Sequence, residues 1–318
     1  EFEVLTAAAV TELARSGVDL AVIEVGLGGR LDATNVLDLG VAAITNVQHD
    51  HERYLGSTLA AIGTEKAAII KRGNLAVTGA SGRGLAPIVA RSAAVGAPLR
   101  RVGRRQSYRT TVRALDWEGL VIEARTPTRR LPDLRVALLG AHQAANAGVA
   151  LAVLEAMAER HDIAVTDAAI RAGFAAARWP GRLEALDDPR FGRVLLDGAH
   201  NPAGARALAT ALADLGLHGM PLVFGAMRGK RVDRVLRALA AVRPLPIFTA
   251  VDDPGALPPD DLLRTWRRIA PGGEAVHGPA TALERAAQLR PGDEPIVVAG
   301  SLYLVGAVRG LLRGEEGE

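Results

Sequence analysis

A chain of 318 residues has room for about two domains at roughly 150 residues each, and 49% hydrophobic against 23% charged residues is enough apolar material for a sizeable core. With no cysteine, disulfides, thiolate metal sites and cysteine nucleophiles are excluded, so any metal must be held by oxygen and imidazole. The 38 basic residues are interspersed with 35 acidic ones, which argues against a nucleic-acid partner, and the lack of a long apolar run or a signal-peptide pattern predicts no membrane partner and a cytoplasmic protein.

Apolar spacing over Phe2 to Leu13 predicts a helix, and the run Leu20 to Val25 a buried strand. Strands are expected again at Val41–Val47 and Leu75–Thr78, with a helix over Thr58 to Ile70 between them. Such alternation implies a parallel sheet with helices on both faces. The chain opens inside a helical pattern, whereas α/β domains commonly open on a strand, so an N-terminal portion is expected to be missing. From about Leu99 to Arg135 short alternating segments, among them Tyr108–Val112 and Leu120–Ala124, suit a small antiparallel sheet appended to the first domain. Helices follow at Gly140–Met157 and Asp167–Ala177, and Trp179-Pro180-Gly181-Arg182 breaks the pattern. Placing the boundary there gives domains 1–183 and 184–318. Beyond it, strands at Arg193–Leu196, Pro221–Phe224, Pro246–Thr249 and Pro295–Val298 alternate with helices. The expected class is α/β, with two doubly wound domains of mostly parallel sheet.

Several segments carry more chemistry than a turn requires. Glu24 ends an apolar run and leads into Gly26-Leu27-Gly28-Gly29-Arg30-Leu31-Asp32-Ala33-Thr34-Asn35. A carboxylate at a strand's carboxyl end suits a cation, or else a structural salt bridge in a tight turn. A dinucleotide fingerprint fails because Leu31 stands where its third glycine belongs. Gln48-His49-Asp50-His51 puts imidazoles and a carboxylate at the next strand end, either as minor ligands to a hard ion or as ordinary loop residues. Only Lys66, Lys71 and Lys230 are lysines. Lys66 sits in an apolar helical neighbourhood that would depress its pKa and allow carbamate formation with CO₂; the alternative is a solvated helix charge. Asp197-Gly198-Ala199-His200-Asn201-Pro202 packs Asp, His and Asn into one strand-turn-helix junction. Ser301, after the last apolar strand, can serve as an N-cap or help a helix N-terminus hold a carboxylate.

Taken in order, Phe2-Glu3, Glu24 to Asn35, Asp50-His51, Glu65-Lys66-Ala67, His142-Gln143 with Asn146, Pro180 to Glu184, Asp197 to Pro202 and Gly300 to Tyr303 resemble folylpolyglutamate synthase/dihydrofolate synthase, a branch of the ATP-dependent muramyl-ligase superfamily. The resemblance implies a cytoplasmic, monomeric ligase that uses ATP and Mg²⁺ to join L-glutamate to a folate or dihydropteroate through an acyl phosphate. Carried over residue by residue, it implies Glu24 and His51 as Mg²⁺ ligands and Lys66 as a carbamylated lysine of the catalytic set. Asn146, Arg182 and Asp197 would contact the nucleotide, and His200 and Ser301 would meet the glutamate, with His200 also catalytic. Residues 1–183 would then be the remainder of the ATP-binding domain and 184–318 the glutamate-ligase domain. The family's phosphate loop would belong upstream of Phe2, so the chain as it stands is expected not to turn over. Another muramyl-type amide ligase, or a non-catalytic nucleotide- or folate-binding remnant, are the alternatives. The family's usual Asp-Lys-Asp after Met227 reads Gly229-Lys230-Arg231 here.

Overall fold

The computed structural model describes residues 1–314. The chain forms two compact units, one of residues 1–111, 124–132 and 145–170, the other of residues 112–123, 133–144 and everything from Arg171 on. The boundary expected at 183/184 therefore falls inside the second unit.

The first unit opens with α1 (Phe2–Arg15) and continues through β1 (Val41–Ile44), α2 (Glu52–Leu55), α3 (Leu59–Ala67), β2 (Leu75–Thr78), α4 (Leu85–Val95) and β3 (Leu99–Arg101). Its sheet, ordered β1-β2-β3, is parallel throughout, with Val41 opposite Leu75 and Ala76 opposite Leu99. Two expectations are corrected here. Leu99–Arg101 joins the parallel sheet rather than an antiparallel one. Residues 20–25 form no strand: the run has no ladder partner among the described residues, Val22 is 92% exposed, and Glu24 is exposed. A strand exists through its neighbours' N–H and C=O groups, so an apolar run alone does not make one. The helix expected at the start is present, yet none of its residues is buried.

Next come β4 (Arg109–Asp116), β5 (Gly119–Arg125) and β6 (Arg130–Val136), a three-stranded sheet in that order whose short connections make it antiparallel. Then follow α5 (Gln143–His161) and α6 (Asp167–Ala176). Within the first unit, α5 lays Val149, Ala152 and Ala156 against Val77 and Tyr108. Glu155 on the same helix accepts from the hydroxyls of Tyr108 (2.9 Å), Thr126 (2.5 Å) and Thr128 (2.7 Å), with the Arg129 guanidinium 3.7 Å away. Burial, reinforced by that carboxylate, pushes the Tyr108 phenol up to about 12.

The second unit contains β7 (Glu184–Asp188), β8 (Gly192–Asp197), α7 (Pro202–Asp214), β9 (Pro221–Phe224), α8 (Val232–Leu239), β10 (Leu245–Phe248), α9 (Pro259–Trp266), β11 (Glu274–Ala275), α10 (Pro279–Leu289), β12 (Ile296–Ala299) and α11 (Leu302–Arg313). The sheet order is β11-β10-β9-β12-β8-β7, parallel except for the antiparallel edge strand β7. Along β8 the side chains alternate between two cores. Leu195 packs with α7, α8 and α9 on one face, and Val194 and Leu196 with α10 and α11 on the other. This is why the strands read as unbroken apolar runs: both faces are covered.

Replacing Glu155 with Ala would leave three hydroxyls without their acceptor and remove the carboxylate beside Arg129, which keeps Asp167 and the Val165 carbonyl. The expected cost is about 3 kcal/mol, against about 1 kcal/mol for Tyr108→Phe, measured by urea unfolding of the two variants beside the parent.

Candidate functional site

In the second unit the polar residues gather at the carboxyl ends of the parallel strands. β8 and β12 are neighbours, but the chain leaves β8 for α7 on one face of the sheet and leaves β12 for α11 on the other. Adjacent strands whose connections diverge open a crevice at their carboxyl ends, the place where open α/β sheets bind ligands. Asp197 to Asn201 forms one wall of this crevice and Gly300-Ser301 the other.

Asp197, the last residue of β8, accepts the backbone N–H groups of Leu183 (3.0 Å) and Ala199 (2.9 Å), so one carboxylate joins the Pro180–Glu184 turn to the loop after β8. Burial drives its carboxyl above the ordinary aspartate range, opposed by those two N–H donors and the Arg182 charge. Arg182 lies against Gly198: a β-carbon there would meet both the Arg182 guanidinium and the Leu302 side chain, so a larger residue would displace their ends. His200 keeps its Nδ1 2.9 Å from the Gly198 carbonyl. A carbonyl only accepts, which puts a proton on Nδ1 and, in the neutral ring, leaves the lone pair on Nε2. Asn201 caps α7 by accepting from the Gly204 N–H, and the buried Ser301 caps α11 by accepting from the Tyr303 N–H at 3.1 Å. The structure thus brings Arg182, Asp197, His200 and Ser301 to one rim. Sequence reasoning passed over Thr249, which follows β10, is fully buried, and has a hydroxyl with no hydrogen-bond partner among the described residues. As the end of an apolar strand it carried no signal.

In the first unit the glycine-rich stretch is a folded platform. Gly29 passes so close to α3 that a β-carbon would sit 2.8 Å from the Glu65 carbonyl oxygen. Arg30 donates its N–H to that carbonyl (3.1 Å) and its Nε to the Glu65 carboxylate (3.0 Å). Asp32 accepts from the Leu27 N–H (2.8 Å), the Thr34 N–H (3.0 Å) and the Thr34 hydroxyl (2.6 Å). Burial raises the Asp32 carboxyl, but these hydrogen bonds outweigh it and hold the group below the usual aspartate range. Lys71 Nζ donates to the carbonyls of Asn35 and Leu37, both at 2.6 Å. Lys66 occupies the last turn of α3, half-buried, while its neighbour Glu65 takes the arginine. His51 is exposed, in the left-handed region (φ 51), with Nε2 3.9 Å from Asp50. Asn146 lies on α5 in this unit.

Glu24 and His51 have the donor chemistry a hard divalent ion accepts, an oxygen and one imidazole. No group of three metal-ligating side chains converges among the described residues.

Residues 3–154 match the Mur ligase middle domain and residues 181–302 the Mur ligase glutamate ligase domain, which makes the chain a Mur-type ligase. Over 99% of its length it is 35% identical to folylpolyglutamate synthase of Lacticaseibacillus casei, covering 72% of that protein. It is also 35% identical, over 97% of its length, to a probable bifunctional folylpolyglutamate synthase/dihydropteroate synthase of Haloferax volcanii, covering only 36% of it. The structure of Mycobacterium tuberculosis folylpolyglutamate synthase, complexed with ADP and AMPPCP, superposes with a TM-score of 0.89 at 35% identity, covering all of this chain and 73% of the other. The chain belongs to the folylpolyglutamate synthase/dihydrofolate synthase family.

The depressed Asp32 carboxyl makes a pH prediction. Its stabilisation of the 27–34 turn is fully present above the ordinary aspartate value of about 3.9 and is lost as pH falls through the lower, native value. The backbone amide resonances of Leu27 and Thr34 should therefore move together below about pH 3.9, and Asp32→Ala should show the displaced positions already at neutral pH.

Proposed function

We propose that this protein is an ATP-dependent ligase that joins L-glutamate to the carboxylate of a folate, either a polyglutamate tail or dihydropteroate. Residues 1–183 form the remainder of the ATP-binding ligase domain, and 184–318 the glutamate-ligase domain. The observation that carries the reading is the crevice in the second unit, where a guanidinium, a carboxylate, an imidazole and a capped helix N-terminus line the carboxyl ends of β8 and β12. Family membership supplies the chemistry. The acceptor carboxylate takes the γ-phosphoryl group of ATP to give an acyl phosphate and ADP. The glutamate amine attacks the acyl carbon, the C–N bond forms as the C–O bond to phosphate breaks, and the amine gives up a proton.

In this reading Arg182 steadies the phosphates by charge and by its planar set of donors. Asp197 accepts from the ribose and Asn146 contacts the nucleotide. His200 presents Nε2 to the amine proton, and the Ser301 end of α11, with its unpaired N–H groups, receives a glutamate carboxylate. Bound Mg²⁺ would neutralise phosphate charge, with Glu24 and His51 as its protein ligands. Lys66, as a carbamate, would place a negative charge beside that ion. The reading includes a monomer working in the cytoplasm; no helix among the described residues is long and apolar enough to cross a membrane.

The test is ADP release by the full-length protein with ATP, Mg²⁺, a reduced folate or dihydropteroate, and L-glutamate. Release that depends on both acceptor and glutamate is expected; release indifferent to glutamate would overturn the reading. Lys66→Arg keeps a cation that cannot form a carbamate, so activity should fall by orders of magnitude while the melting temperature holds. A short carboxylic acid should partly restore Lys66→Ala. Unchanged activity in a folded Lys66→Arg protein would remove the carbamate.

A further inference from the structure

Lys66 is half-buried in the last turn of α3, and its side chain has no hydrogen-bond or ion-pair partner among the described residues. Lys71, five residues on, spends its ammonium on two carbonyls. The surroundings of Lys66 oppose an anion in two ways. The carboxyl end of a helix carries the negative end of its dipole, and the residue before Lys66 is itself a carboxylate, Glu65, whose side chain is 22% exposed. A carbamate on Lys66 is therefore a second anion beside the first, at the unfavourable end of the helix.

Arg30 meets both difficulties. Its Nε donates to the two Glu65 carboxylate oxygens at 3.0 and 3.3 Å, and its backbone N–H to the Glu65 carbonyl at 3.1 Å. Gly29 allows this approach, since a β-carbon there would lie 2.8 Å from the Glu65 carbonyl oxygen and 3.3 Å from that of Lys66. Asn35 donates to the Arg30 carbonyl at 3.3 Å, so the Arg30 backbone is held on both sides. The other cations around this helix end are engaged with carbonyls: Arg91 Nε donates to that of Ile70 at 3.0 Å, and Lys71 to those of Asn35 and Leu37. Arg30 is thus the cation that pairs with the Glu65 carboxylate. With the Arg30 side chain 58% exposed, such a pair adds little to stability; its effect is on the local charge.

We infer that Arg30 is a positioning residue for Lys66: by pairing with Glu65 it neutralises the carboxylate next to that lysine and so permits a carbamate there. The inference rests on the proposed ligase reading, in which Lys66 is a carbamate. The step is capture of CO₂. The lone pair of the neutral Nζ amine attacks the carbon of CO₂, the C–N bond forms, one C=O electron pair moves onto oxygen, and a proton leaves nitrogen for solvent. Side chains at i and i+1 of a helix do not face each other, so Glu65 acts on Lys66 through its charge. What matters at position 30 is then the positive charge on Glu65 more than the shape of the guanidinium.

The experiment is ¹³C NMR of the 318-residue chain in ¹³C-bicarbonate at constant pH, reading the carbamate carbon that Lys66→Arg abolishes. Arg30→Gln keeps a donor for the Glu65 carboxylate and removes the charge. It should lower the Lys66 carbamate signal at least about fivefold, the effect of one uncompensated unit charge near a protein surface. Arg30→Lys should retain most of the signal, and Arg30→Gln combined with Glu65→Gln should recover it; a role in packing alone would show no such recovery. Melting temperatures should hold in all three variants. A Lys66 signal of parental intensity in folded Arg30→Gln, or no recovery on adding Glu65→Gln, would overturn the inference and leave the carbamate standing. No Lys66 signal in the parent would remove the carbamate and the inference together, while glutamate-dependent ADP release by the full-length protein tests the ligase reading separately.

Discussion

The second unit is organised around one carboxylate. Asp197 ends a central parallel strand and, instead of facing solvent, accepts the N–H groups of Leu183 and Ala199. That pins Leu183 in its left-handed conformation (φ 48) and fixes Arg182 over the glycine at 198. The Gly198 N–H in turn donates to the Gly181 carbonyl at 2.8 Å, so the two loops are tied in both directions. An aspartate drawn above its normal pKa by burial, yet held by two donors, is an expensive arrangement to maintain. What it supplies is a guanidinium, an imidazole and a helix N-terminus fixed on a rigid frame, the kind of preorganisation on which electrostatic catalysis depends.

The first unit shows a division of labour inside a single motif. Arg30, Asp32 and Asn35 look reactive in sequence, but each is consumed by the architecture: Arg30 by Glu65, Asp32 by Leu27 and Thr34, Asn35 by the Arg30 carbonyl at 3.3 Å. On the margin of the platform, the exposed Glu24 and the half-buried Lys66 take no part in these hydrogen bonds among the described residues. The polar density of the stretch therefore measures the work of holding a glycine-rich turn against a helix as much as it measures chemistry. Glu155 does similar work on α5, where a single carboxylate collects hydroxyls from three positions.

The elements were legible wherever local pattern and tertiary packing agreed. Leu75–Thr78 and Pro221–Phe224 have the bounds the apolar runs mark, since covered strands leave no ambiguity of face. Leu20–Val25 has the same composition and is no strand, and Leu99–Arg101 pairs in the opposite sense to its pattern. In both cases the deciding quantity was a hydrogen-bonding neighbour distant in sequence. Among the candidate site residues, Asp197, His200 and Ser301 were visible because they follow apolar runs at strand ends. The buried Thr249 hydroxyl was hidden because it too follows such a run, without any local sign of its position at the rim.

By itself the sequence determined the α/β class, the absence of thiol chemistry, the succession of strands and helices after residue 184, and the motifs that identify the ligase family. These depend on composition and on periodicities of two and 3.6 residues, which are local properties. Only the tertiary structure decided which strands are neighbours, hence where connections diverge and a crevice opens, and which charged groups are spent on holding loops. It also brought Arg178 to the same cleft as Arg309 and Arg313, more than a hundred residues further along the chain. Proximity between distant residues is set by packing and pairing over the whole unit, and no window of sequence contains it.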